Sequence, residues 1–146
     1  MSNIKEFLTA DHRKCDNLFA IMEEVATTSL KDAKEACEEF VKTTNNHFDM
    51  EEKVMFVEFE KKTGMVEGPT MIMKHEHAQV RKLMDELLEA IDNDNKDKFF
   101  GLSETLMILL QQHNMKEEQM LYPMAQQHLS STSQEIVEMM KNIPQG

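Results

Sequence analysis

The feature that most constrains the fold of this chain is a repeat of its first half in its second, with a period near 65 residues. Asp11-His12 opens one segment, with Leu18 six residues after the histidine; Glu76-His77 opens another, with Leu83 six residues after it. His47 then begins HFDMEEKVMF, and His113 begins HNMKEEQMLY. The internal spacings agree, 35 residues from His12 to His47 and 36 from His77 to His113. Each half therefore contributes one lone histidine and one His-x3-Glu, and whatever structure the first half adopts the second must also adopt.

The apolar pattern of each segment is helical. Ile4, Phe7, Leu8, Cys15, Leu18, Phe19, Met22 and Val25 form a 3.6-residue stripe that predicts a helix over about residues 3–27. A second helix is expected over about 30–62. A third follows Gly68-Pro69-Thr70, with proline tolerated in its first turn, and carries Met73, Val80, Met84, Leu87, Leu88 and Ile91. The fourth runs over about 96–127, with Leu102, Leu106, Leu109, Leu110, Met120, Leu121 and Met124 on its stripe. A short fifth, over about 132–142, carries Ile136, Val137, Met139 and Met140. Only four glycines and three prolines interrupt the chain, which suits few, long elements. Short connections between the first and second helices, and between the third and fourth, imply antiparallel neighbours. The expected fold is all-α, an up-down-up-down four-helix bundle with a short C-terminal fifth helix, as a single domain over residues 1–146.

In such a bundle the repeat places its polar residues together. Residues i and i+4 lie side by side on a helix, so His47/Glu51 and His113/Glu117 each aim an imidazole and a carboxylate at one point. Residues equally far from a helical turn lie level in an antiparallel pair. His12 and His47 both lie 17 or 18 residues from a turn near 28–30, and His77 and His113 stand in the same relation to a turn near 95. His12, His47, Glu51, His77, His113 and Glu117 thus fall in one layer, on the apolar stripes. Burying two carboxylates and four imidazoles is costly without compensation. Two cations bridged by the carboxylates supply it. Imidazole with carboxylate suits iron, manganese or zinc rather than a thiolate-seeking ion. Ferritin-like di-iron bundles use Glu-x-x-His, which does not occur in this chain.

With these residues assembled, the chain resembles the hemerythrin-like (HHE cation-binding) family over about residues 8–125. The matching pieces are Asp11-His12-Arg13, His47-x3-Glu51, Glu76-His77 and His113-Asn-Met-Lys-Glu117-Glu-Gln-Met-Leu-Tyr-Pro; the last is the most specific. The resemblance implies two iron ions, oxo- or hydroxo- and carboxylate-bridged, with dioxygen, nitric oxide or peroxide as the small ligand. Oxygen-carrying hemerythrins differ in two places. They have His-x3-His on the third helix, where the upstream position here is Met73, and His-x4-Asp on the fourth, where this chain has His-x3-Glu. A four-histidine set is nearly symmetric, which points away from reversible oxygen carriage and toward oxidative or nitrosative stress response or sensing. An iron donor or repair factor for damaged iron centres uses the same residues. A helical interaction module with a structural metal is the third reading, and the apolar side of the fifth helix is the feature that would support it.

Other residues divide between roles. His75 falls with Gln79, Lys82 and Glu86 on a polar face, and His128 has no counterpart in the repeat; both read as surface histidines. Asp11, Glu52, Glu76 and Glu118 stand beside the six in matched positions, as acceptors for imidazole N–H groups or as solvated carboxylates. Asp16 and Glu23 are weak candidates for an added carboxylate. Cys15 reads as a small core residue or a thiol near the metals. Its axial distance from Cys37, roughly 10 Å at the helical rise, exceeds disulfide reach. Tyr122 and Phe56 are expected to pack around the site, and the 14 methionines to fill core gaps. A net charge of −11 disfavours nucleic acid and anionic membranes. No apolar run approaches the roughly 20 residues of a membrane span, and the first residues lack a signal peptide's apolar block. A cytoplasmic protein is expected. A redox partner or iron acceptor is compatible with the pattern, and oligomeric state is left open.

Overall fold

The computed structural model describes residues 3–144; Met1, Ser2, Gln145 and Gly146, included in the expected domain, lie outside the described residues. Helix α1 spans Ile4–Thr28 and starts where the Asn3 side chain accepts the Glu6 N–H at 2.8 Å. Helix α2 spans Ala33–Met50, passes through a wide π-helical turn at Glu51–Met55, and continues as α3, Phe56–Thr63. Gly64 ends it in the left-handed conformation, φ 75°, which costs a glycine nothing. Helix α4 spans Pro69–Asp92. Helix α5 spans Lys96–Lys116, with Asn95 accepting the Lys98 N–H at its start. A second π-helical turn, Glu117–Leu121, leads into α6, Tyr122–His128, and a short 3-10 turn leads into α7, Ser133–Lys141. The described residues are helical with no strand.

Side-chain contacts set the directions. His12 and Phe19 of α1 meet His47 and Phe40 of α2, with ring centroids 4.6 and 5.3 Å apart, so residue numbers rise on one helix as they fall on the other. Glu52 meets His77 of α4 while Lys34 meets Asp92. His12 meets Glu118, and the Ile4 N–H reaches Gln126. Each long helix is thus antiparallel to the neighbours it packs against.

Two apolar cores fill the bundle. Phe19, Met22, Phe40, Met84, Leu87 and Phe99 belong to one, toward the α1–α2 and α4–α5 turns. Leu8, Met55, Phe59, Met73, Ala125 and Val137 belong to the other, at the opposite end. The six residues singled out by the repeat lie between them. Helix α7 closes the second core with Ile136, Val137 and Met140, each at most 3% exposed. Its apolar side is therefore covered by its own chain, which removes the feature that favoured an interaction module.

Two positions depart from the expected stripes. Met139 is 47% exposed on the outer side of α7. Met120, expected inward, is 64% exposed. It lies in the second π turn, where a five-residue hydrogen-bonded repeat replaces the four-residue one and shifts the facing of the residues after it.

Candidate metal centre

Six buried side chains converge on one layer. His12 comes from α1, His47 from α2, His77 from α4 and His113 from α5; Glu51 and Glu117 are the first residues of the two π turns. None is more than 2% exposed. They form two groups, His12–His47–Glu51–Glu117 and Glu51–His77–His113–Glu117, and within each group one donor atom per residue lies within 4.8 Å of the others. The two glutamates belong to both groups. Nε2 of His12 lies 3.0 Å from Glu117 Oε1, Nε2 of His77 3.0 Å from Glu51 Oε1, and Nε2 of His113 3.2 Å from Glu117 Oε1.

Each imidazole is held from behind by a carboxylate on its Nδ1. Asp11 holds His47 at 2.8 Å, Glu118 holds His12 at 2.7 Å, Glu52 holds His77 at 2.5 Å and Glu76 holds His113 at 2.7 Å. The matched positions noted in the sequence are thus acceptors rather than solvated groups, and each serves a histidine of another helix. With Nδ1–H donated outward, Nε2 faces the centre, as a metal-binding imidazole requires. Three of the four carboxylates are themselves anchored by a cation: Arg13 bonds Glu118, Arg81 bonds Glu52 and Lys116 bonds Glu76.

The protonation pattern without a cation reflects this crowding. Burial works against charging His113, yet the Glu117 carboxylate beside it holds its pKa at about 9. Burial also opposes charge on His47 and His77, and Glu51, with Asp11 and Glu52 behind, raises both. Burial would raise Glu51, but His47 and His77 hold it well below the usual carboxylate range. Protons do here what cations would do.

The two groups differ in one respect. Among the described residues, seven buried side-chain oxygen or nitrogen atoms lack a hydrogen-bond partner. Four are Glu51 Oε1, His77 Nε2, His113 Nε2 and Glu117 Oε2, one from each member of the second group. A cation satisfies all four at once, so this donor set fits a divalent metal. In the first group the matching atoms surround the Tyr122 hydroxyl. It donates to Glu51 Oε2 at 2.6 Å and lies 3.0 Å from Glu117 Oε1, 3.0 Å from His12 Nε2 and 3.2 Å from His47 Nε2. Burial, with the Glu117 and Glu51 charges, pushes this phenol well above its ordinary pKa. Periodicity places Tyr122 only as packing, because a residue five positions beyond Glu117 would stand about 140° around a regular helix. The i→i+5 bond from the Tyr122 N–H to the Glu117 carbonyl brings it back to the site.

A cleft of about 550 Å³ between α1, α2 and α5 is lined by His12 and His47, with Phe19, Phe40, Phe48, Met107 and Leu110 also on its walls. Cys15 lies on its wall as a free, buried thiol whose pKa burial raises; Cys37 is also free, and burial pushes it up to about 12. His75 and His128 are exposed, outside both groups. Asp16 is exposed and bonds Arg13, and Glu23 accepts from Ser103, so neither joins the centre.

An antiparallel helical bundle with a buried, carboxylate-linked pair of histidine clusters defines a cation-binding protein. The chain belongs to the hemerythrin HHE cation binding domain family, whose sequence model matches residues 3–125. No curated protein and no solved structure gives a significant match.

Proposed function

We propose that the chain is a non-haem di-iron protein of the cytoplasm, one domain over residues 1–146, acting on dioxygen, nitric oxide or peroxide in oxidative or nitrosative stress or in sensing. His12 and His47 would hold one ion and His77 and His113 the other, with Glu51 and Glu117 offering a carboxylate to both. The observation that carries this reading is the sharing of both glutamates by two four-donor groups, with four donor atoms of one group buried and without a hydrogen bond. A single closed site would need only four donors. Nitrogen and oxygen donors in this number suit iron, while manganese and zinc share the same preferences.

Iron held this way would supply the binding and reduction chemistry for the small ligand. The protein's part is positioning. The four carboxylates on Nδ1 fix the imidazoles, and Phe48 stacks on His77 with ring centroids 3.9 Å apart. The cleft at His12 and His47 admits the small ligand from one side. Among the described residues no helix is long and apolar enough to cross a membrane, and the −11 charge disfavours nucleic acid.

The test is metal content of protein purified without added metal, with an absorption spectrum of the same sample. Two irons per chain and oxo-bridge bands in the near ultraviolet are expected. One redox-silent zinc per chain, or no uptake after iron loading, would sink the proposal.

A further inference from the structure

The two halves of the centre are not equivalent, and one difference between them is a single oxygen atom. Tyr122 follows Glu117 by five residues and closes the second π turn; Phe56 follows Glu51 by five and closes the first. The repeat therefore puts Tyr122 and Phe56 in matched positions. Phe56 stacks on His77 with centroids 5.8 Å apart, and Tyr122 stacks on His12 at 5.4 Å. Each aromatic ring thus flanks one of the two seats. At the His77–His113 seat the ring has no polar atom, and four donor atoms there, among the described residues, make no hydrogen bond. At the His12–His47 seat the ring carries a hydroxyl, and that oxygen lies 2.6–3.2 Å from one atom of every member of the group.

An oxygen so placed stands where the charge of a bound ion would lie. Tyr122 is fully buried, and every hydrogen-bond partner of its hydroxyl is a member of the cation-binding group. When an ion engages those atoms, the hydroxyl either binds the ion or lies buried against it, competing with it for the same donor atoms. The second is costly for a buried polar group.

We propose that Tyr122 is a seventh protein ligand, its phenolate oxygen binding the ion held by His12, His47, Glu51 and Glu117, while the His77–His113 seat has no phenolate. The proposal rests on the di-iron reading above. On coordination the phenol O–H bond breaks, an oxygen–iron bond forms, and the proton leaves to solvent. No electron is transferred. Ferric iron accepts this donor, as it does when tyrosine is an axial ligand to haem. The centre is then asymmetric by its own sequence, contrary to what four histidines and two glutamates alone suggest, and the phenolate-bound ion is the one beside the cleft.

Tyr122 is the sole tyrosine of the chain, so any tyrosinate signal belongs to it. The experiment is resonance Raman and visible spectroscopy of the oxidised, iron-loaded full chain, with iron counted on the same sample. A visible tyrosinate-to-iron(III) band with enhanced phenolate ring modes is expected. Tyr122→Phe should abolish both while keeping two irons, and Phe56→Tyr should roughly double the band by adding the hydroxyl to the other seat. Two irons in the parent with no phenolate modes would overturn the proposal and leave the di-iron reading standing; absence of iron uptake in the parent would overturn both. The parent spectrum decides the matter even if Tyr122→Phe does not fold.

Discussion

Nδ1 of His77 on α4 lies 2.5 Å from Oε2 of Glu52, a residue of the first π turn, and the same carboxylate oxygen accepts from Arg81 at 2.9 Å. His77 is therefore oriented by the helix that supplies Glu51, not by its own. Burial would raise Glu52, but His77 and Arg81 lower it, so it stays charged and fixes the imidazole with Nε2 inward.

Loss of that hold should loosen the His77–His113 seat. Glu52→Ala is expected to weaken metal binding there by about 10–100-fold. Glu58→Ala, whose side chain pairs with exposed Lys61, should leave affinity unchanged. Chelator competition on the loaded protein measures both. Equal affinities for the two variants would mean that the Nδ1 contact contributes nothing to the site.

The cleft predicts a kinetic effect without a binding effect. Ala20 lies on its wall and is exposed, outside both cation groups. Ala20→Trp should narrow the passage to His12 and His47 and slow reaction of the loaded protein with nitric oxide or peroxide several-fold. Iron content and unfolding temperature should hold. Stopped-flow mixing reads the rate, and an unchanged rate would place the route elsewhere.

Helix α7 should contribute to the stability of the bundle. Ile136 is 1% exposed and belongs to the core that includes Ile4, Leu8 and Phe59. Ile136→Ala removes most of a buried side chain and should cost about 2–5 kcal/mol. Met139→Ala, at an exposed position on the same helix, should cost much less. Denaturant unfolding of the two variants compares them, and equal midpoints would show that α7 does not hold the core closed.

The legible parts of this molecule are those set by helical period and by the repeat. His12, His47, Glu51, His77, His113 and Glu117 are level because helices rise uniformly and the halves match in length. A π turn has no such signature. It changes the period for five residues without calling for glycine or proline, so Met120 reads as inward and Tyr122 as mere packing. The pairing of carboxylates with imidazoles is half visible. Matched positions point to Asp11, Glu52, Glu76 and Glu118, but which histidine each serves depends on neighbouring helices, and chain order is silent on that. The cleft lies among Phe19, Phe40, Phe48 and Leu110, residues whose apolar character alone reads as filled core.

Metal and protons compete for the same atoms, which fixes the sign of the pH dependence. His47, His77 and His113 have folded pKa values above their ordinary 6.5, about 9 for His113. Their contribution to stability is complete below 6.5 and is lost as pH rises through the folded values. Glu51, held well below its ordinary 4.5, contributes above that value and loses its contribution as pH falls through the folded one. For these groups the metal-free chain is most stable between 4.5 and 6.5 and weakens toward about 9. A cation displaces the imidazole protons, so its stabilisation grows over the same range. The gap in unfolding temperature between loaded and metal-free protein should therefore widen from pH 6.5 to about 9. General repulsion from the −11 charge also rises with pH, but it acts on both forms. In the metal-free Glu51→Gln, Glu117→Gln double variant the two inner carboxylates that help hold the imidazole protons are gone, and the slope should flatten. A gap that stays constant across this range would show that the buried imidazoles are not protonated in the metal-free fold.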